Sequence, residues 1–165
     1  MKRRMLAVGA LTSLAVAGPI TAAQGASSRA NVTQGVVYGA VTSQSFAVMI
    51  ELSKTGRKVV KAAIGLDLKC QVPPDITIPD GVTNIPVSAA GKFQAEQAET
   101  VPADPVSGVP RLDVTAKLTG QVNKARTRII GTWTRKVVIY NPADPTGVAI
   151  ADTCDSGLLR FTAKN

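Results

Sequence analysis

The segment LDVTAKLTGQV, residues 112–122, alternates without a fault: Leu112, Val114, Ala116 and Leu118 take one set of positions, and Asp113, Thr115, Lys117 and Thr119 the other. Neighbouring side chains of an extended strand point to opposite faces, whereas a helix repeats about every 3.6 residues, so this pattern specifies a strand with one face on a core and one in water. The same rule recurs along the chain. In KVVKAAIGLDLKCQV the alternate set Val60, Ala62, Ile64, Leu66, Leu68 and Cys70 is wholly apolar, and FAVMIEL puts Phe46, Val48, Ile50 and Leu52 on one face. SKTGR, with Gly56 at its bend, joins these two as a hairpin. TRIIGTWTRKVVIYNP predicts a long strand, or one bent at Gly131, and GVVYGAV, TNIPVSA, GKFQAEQAE and GLLRFTA are shorter candidates. VPPDITIPDGV, TVPADPVSGVPR and NPADPTGVAIADT carry most of the prolines and are expected to be connections. FQAEQAET has helical propensity but is too short to hold a helix alone.

About eight strands, each with one apolar face, make an all-β single domain: an antiparallel β-sandwich, or alternatively a closed β-barrel. Periodicity does not separate the two, because both alternate inward and outward.

The chain opens MKRRMLAVGALTSLAVAGPITAAQGASS: three basic residues, an apolar run from Met5 to Ile20 broken by Gly9, Gly18 and Pro19, then small residues. That is the layout of an export signal, and the run is shorter than the roughly 20 residues a membrane helix needs. Cleavage after Ala23 or after Gly25 is expected, giving a signal peptide over 1–25, a single β-domain over 26–165, and a secreted, extracellular product with no transmembrane span. The formal charge of +8 includes Lys2, Arg3 and Arg4, so the remaining chain holds 16 basic against 11 acidic residues. This excess favours anionic surfaces without specifying nucleic acid, and no specific nucleic-acid binding is expected.

Two cysteines, Cys70 and Cys154, stand 84 positions apart. In an exported chain such a pair is oxidised, the alternative being two buried thiols. Closing a loop of that length removes on the order of 4 to 5 kcal/mol from the unfolded state in the chain-entropy model. The bridge is a staple between an early strand and the approach to the last one. No CxxC spacing lowers a thiol pKa, and two cysteines without histidine make no zinc site.

Histidine is absent, which removes Ser-His-Asp and Cys-His catalysis and most zinc or copper centres. No GxGxxG, GxxxxGK[ST] or GxSxG occurs. No cofactor and no metal is therefore expected. Asp144, Asp152 and Asp155 lack the alternating spacing of a calcium loop and are expected to shape turns. Glu51 and Asp67 are strand acids expected to face water. The alternative to a binding protein is a carboxylate-dependent, glycosidase-like enzyme, which needs two acids in one cleft.

The basic residues Lys124, Arg126, Arg128, Arg135 and Lys136 are the most pronounced charge feature, and a candidate anion-binding set. Lys124, Arg126 and Arg128 alternate along a turn and strand entry; Arg135 and Lys136 join them only if the strand folds back. The competing reading is that cations on an exposed strand block edge-to-edge aggregation. Trp133 shares a face with Ile129 and Val137 and is expected in the core. The expected partners are an anionic cell-envelope polymer, or another protein that meets the Pro-rich loop VPADPVSGVPR.

Taken in order, YGAVTSQSFAVMIELSKTGRKV, LDLKC, IPVSAAGKF, LTGQV, IIGTWTRKV and CDSGLLRFTA resemble a group of small secreted proteins of actinobacteria and related bacteria with no assigned activity. The resemblance implies export, an all-β fold and a disulfide; it carries no site over. The expectation from the sequence is an exported, basic, non-catalytic β-domain that acts by binding or as a surface module.

Overall fold

The computed structural model describes residues 35–165 except Pro105 and Pro145; the expected signal peptide, 1–25, lies outside the described residues. Nine strands are formed among the described residues: β1 Val36–Val41, β2 Ala47–Leu52, β3 Lys58–Cys70, β4 Ile76–Pro86, β5 Lys92–Val101, β6 Leu112–Val122, β7 Arg128–Tyr140, β8 Ile150–Asp155 and β9 Leu159–Lys164. All pairings are antiparallel, in the order β4-β3-β2-β1-β9-β7-β6-β5. β8 pairs β3 on one side and β7 on the other. That last strand closes β3-β2-β1-β9-β7-β8 into a six-stranded barrel, with β4 added beyond β3 and β6 and β5 beyond β7. The fold is all-β, and the barrel alternative to the sandwich is the one formed. Among the described residues no helix is long and apolar enough to cross a membrane.

The inward faces supply one core built on Trp133, Tyr38, Ile50, Leu52, Leu66, Leu68, Leu118, Ile129 and Leu159, all essentially without solvent contact. Each such side chain contributes roughly 1.5 to 3 kcal/mol by leaving water. Trp133 is in the core, as its neighbours on the strand imply.

Strand β3 departs from the simple alternation. Its register with β2 shifts between Glu51 and Leu52, so Leu52 faces Val59 while Glu51 faces Lys61. This bulge turns Val59, not Val60, into the core. Phe46 leaves the row predicted for it: its ring lies against Gly65, where a Cβ would sit 3.1 Å from the ring. Strand β4 joins the end of the predicted connection VPPDITIPDGV to the start of the predicted strand TNIPVSA. Pro79 and Pro86 fit because β4 is an edge strand, paired only to β3, where the missing N–H costs no ladder bond. β8 likewise occupies the end of the predicted connection before Cys154.

Closure depends on narrow seams. β1 meets β9 at the single registered pair Gly39–Lys164. β3 meets β8 at Lys69–Asp155 and Cys70–Cys154, and the second pair is disulfide-bonded. Beside this seam the Gln44 side chain replaces a strand: its Nε2 donates to the Asp67 and Ser156 carbonyls at 3.0 and 3.2 Å, and its Oε1 accepts from the Asp67 amide at 2.9 Å. Asp152 completes it by accepting the Gln71 and Val72 amides.

Candidate binding groove

The basic residues singled out from the sequence are divided by the fold. Lys124 and Arg126 occupy the β6–β7 turn, which is set by Asn123: its Oδ1 accepts the Thr127 and Arg128 amides at 2.9 and 3.1 Å. Arg126 adopts φ 54°, and its carbonyl accepts the hydroxyl of buried Tyr38 at 2.6 Å. Burial raises the Tyr38 pKa, and the Arg126 charge opposes that rise. Arg128 begins β7 on the outward face. β7 continues as one strand of 13 residues without folding back, so Lys136 lies about 26 Å farther along it. Arg135 points inward to Asp80 and is no free cation. The set therefore contributes Lys124, Arg126 and Arg128 to one region, and neither Arg135 nor Lys136.

That region borders an open groove of about 1350 Å³ over the outward face of β5, β6, β7 and β9. Its floor follows from the strand register. One row reads Lys92, Gln121, Ile130, Thr162; the next outward row reads Gln94, Thr119, Thr132, Arg160. Between them lies an inward-facing row, Phe93, Gly120, Gly131, Phe161. A Cβ on Gly120 would come within 2.2 Å of the Phe93 ring, and one on Gly131 within 2.3 Å of the Phe161 ring. The two rings fill the space that the glycines leave, on the core side. Walls come from Val41–Ser43 after β1 and from Pro86–Ser88 after β4.

The groove is electrostatically one-sided. Its lining holds Lys92, Arg128 and Arg160 and, among the described residues, no aspartate or glutamate. None of these three is in an ion pair among the described residues. One row farther along the same face the charges cancel locally, with Lys117 Nζ 2.6 Å from Glu96. Thr119 and Thr132 hydroxyls are 2.8 Å apart and present a polar strip at the centre. Lys92 and Arg160 went unnoticed in the sequence because they lie 68 positions apart; only the register places them on adjacent rows.

The acids are engaged elsewhere. Asp80, with 5% of its side chain exposed, accepts from Trp133 Nε1 at 2.9 Å and from Arg135. The Arg135 Nε is buried without a partner. Asp144 accepts the Ala149, Thr146 and Val148 amides and the Thr146 hydroxyl, bonds that bring its pKa down to about 2. Asp155 accepts the Gly157 amide. Asp67 accepts the Thr77 hydroxyl, and Glu51 is half-buried on β2. The sulfurs of Cys70 and Cys154 lie close to the Asp152 carboxylate but are bonded to each other and offer no thiolate.

Comparison with protein-family models, with curated proteins and with solved structures finds no match to this chain.

Proposed function

We propose that the chain is an exported, non-catalytic β-barrel domain that acts by binding, with the groove over β5, β6, β7 and β9 as its binding face. The observation that carries this reading is the groove itself: open, lined by three cations and hydroxyl and amide side chains, and without a carboxylate among its described lining. A surface of that kind attracts and retains an anion, and among its described lining it offers no carboxylate, thiol or tyrosine for proton transfer, only the Lys92 amine. Export is supported by the disulfide, which persists in oxidising compartments, and by the resemblance to small actinobacterial secreted proteins.

The carboxylate-enzyme alternative needs two acids about 5 to 10 Å apart in one cleft. A second, smaller depression is bordered by Glu96 and Asp155. Glu96 lies on β5 and Asp155 on β8, three strand gaps and one outward step apart, a Cα separation of about 16 Å by strand spacing. Glu96 is also committed to Lys117.

The test incubates the disulfide-intact secreted protein with the cell-envelope fraction of its source. Co-sedimentation with no soluble saccharide released over time is expected. Release of soluble fragments would replace this reading with the enzyme.

A further inference from the structure

We infer that the ligand of the groove is an extended polyanion on a hydroxylated backbone, lying across the strands so that Lys92, Arg128 and Arg160 meet successive anionic groups. This rests on the binding reading above and adds the ligand's chemistry and the residues that recognise it.

The spacing of the cations comes from the register. Lys92 and Arg128 are two strands and one outward step apart; Lys92 and Arg160 are three strands and one outward step apart; Arg128 and Arg160 are neighbours across one strand gap and two outward steps. With strands about 4.8 Å apart and about 3.3 Å per residue, these Cα separations are roughly 12, 16 and 14 Å. Side chains stand nearly perpendicular to a sheet, so the charged ends stay similarly separated. One phosphate or carboxylate satisfies one of them. A chain with repeated anions satisfies all three, and the groove is open to solvent.

The surface between the cations specifies the backbone. Thr119, Thr132, Gln94 and Gln121 offer donors and acceptors to hydroxyl groups, while Ile130, 51% exposed, offers an apolar contact to carbon. The only rings in the described lining, Phe93 and Phe161, are each 4% exposed and turned into the core. Bases therefore find nothing to stack on, which separates this ligand from single-stranded nucleic acid. Lys164, registered beside Arg128, extends the positive surface at one end, whereas the Arg126 guanidinium lies against Gly56 of the β2–β3 turn.

The experiment measures binding of the disulfide-intact protein to poly(glycerol phosphate), to polygalacturonate, to single-stranded polyadenylate and to inorganic phosphate across a salt series. At least one of the first two should bind, and which one distinguishes a phosphate chain from a uronate chain. Lys92→Ala, Arg128→Ala and Arg160→Ala should each weaken binding roughly threefold to tenfold and each lower the slope of log K against log salt by roughly 0.7. Lys61→Ala, which removes the same charge from β3 outside the groove, should leave both unchanged. All four positions are exposed, and melting curves confirm that each variant is folded. Equal loss in Lys61→Ala, polyadenylate binding as tight as that of the better polymer, or displacement of the polymer by inorganic phosphate at equal anion concentration would each overturn the inference. Failure of both hydroxylated polymers would also overturn it; continued co-sedimentation with envelope material would then leave the binding reading standing with a different ligand.

Discussion

Cys70 and Cys154 stand directly opposite one another on β3 and β8, their Cα atoms 4.0 Å apart, in one of only two registered pairs that join these strands. The covalent bond thus lies on one of the two shortest ladders of the barrel, the other being the single β1–β9 pair. Reduction, or Cys154→Ala, should destabilise the protein by about 2 to 5 kcal/mol, lowering Tm by about 10 °C for a domain of this size. Far-ultraviolet circular dichroism at low temperature should stay β-rich, because every other strand keeps its long ladders. Thiol titration of the unfolded, unreduced protein should find none; two reactive thiols would contradict the bridge.

Asp80 and Arg135 form the most enclosed ion pair among the described residues, with 5% and 20% of their side chains exposed. Asp80→Asn leaves a guanidinium enclosed without its counter-charge and should cost about 3 kcal/mol in urea unfolding. Adding Arg135→Met should restore most of that loss, since the uncompensated charge is removed while the amide oxygen introduced at position 80 can still accept from Trp133 Nε1. A double variant as unstable as the single one would show that the pair is not what the region depends on.

Gly120→Ala should destabilise by about 1 to 3 kcal/mol, because the new methyl meets the Phe93 ring inside a packed core. Phe93→Leu should be less harmful in that background than alone. The measurement is a double-mutant cycle; additive costs would mean the ring and the glycine are not complementary.

The Asp144 carboxyl should titrate near pH 2 by carbon-detected NMR, against an ordinary value of 3.8. Backbone amides, Ala149 first, and the Thr146 hydroxyl favour its ionised form. Because the folded value is depressed, the loop's contribution to stability is complete above about pH 4 and is lost as the pH falls towards about 2. Thr146→Val should raise the midpoint. A midpoint unchanged by that substitution would remove the hydroxyl from the account.

Legibility followed the range of the interaction. β6 spans the residues whose alternation specifies it, and the Cys70–Cys154 bridge follows from pairing the only two cysteines in the chain. The first half of β4 was hidden because Pro79 is a breaker in a central strand and acceptable at an edge, and a sequence does not declare its edges; its second half falls in TNIPVSA, which the alternation did pick out. Val59 replaced Val60 in the core through a bulge that only the β2 pairing reveals. Asp80 gave no signal, since its partners Trp133 and Arg135 are more than 50 positions away. The groove was the least visible of all: Lys92 and Arg160 come to line the same face through three consecutive strand registers, each of which had to be known first.

The glycine–phenylalanine row has a consequence for how such a protein diversifies. At Gly120 and Gly131 an added side chain would enter the core, so the middle of the groove floor stays bare main chain, while Gln94, Gln121, Thr162 and Arg160 on either side are exposed and carry no packing duty. Surface chemistry and folding are thereby written in separate alphabets along the same strands. Exchanging the outward letters would give the surface another charge pattern while the barrel beneath it folded as before.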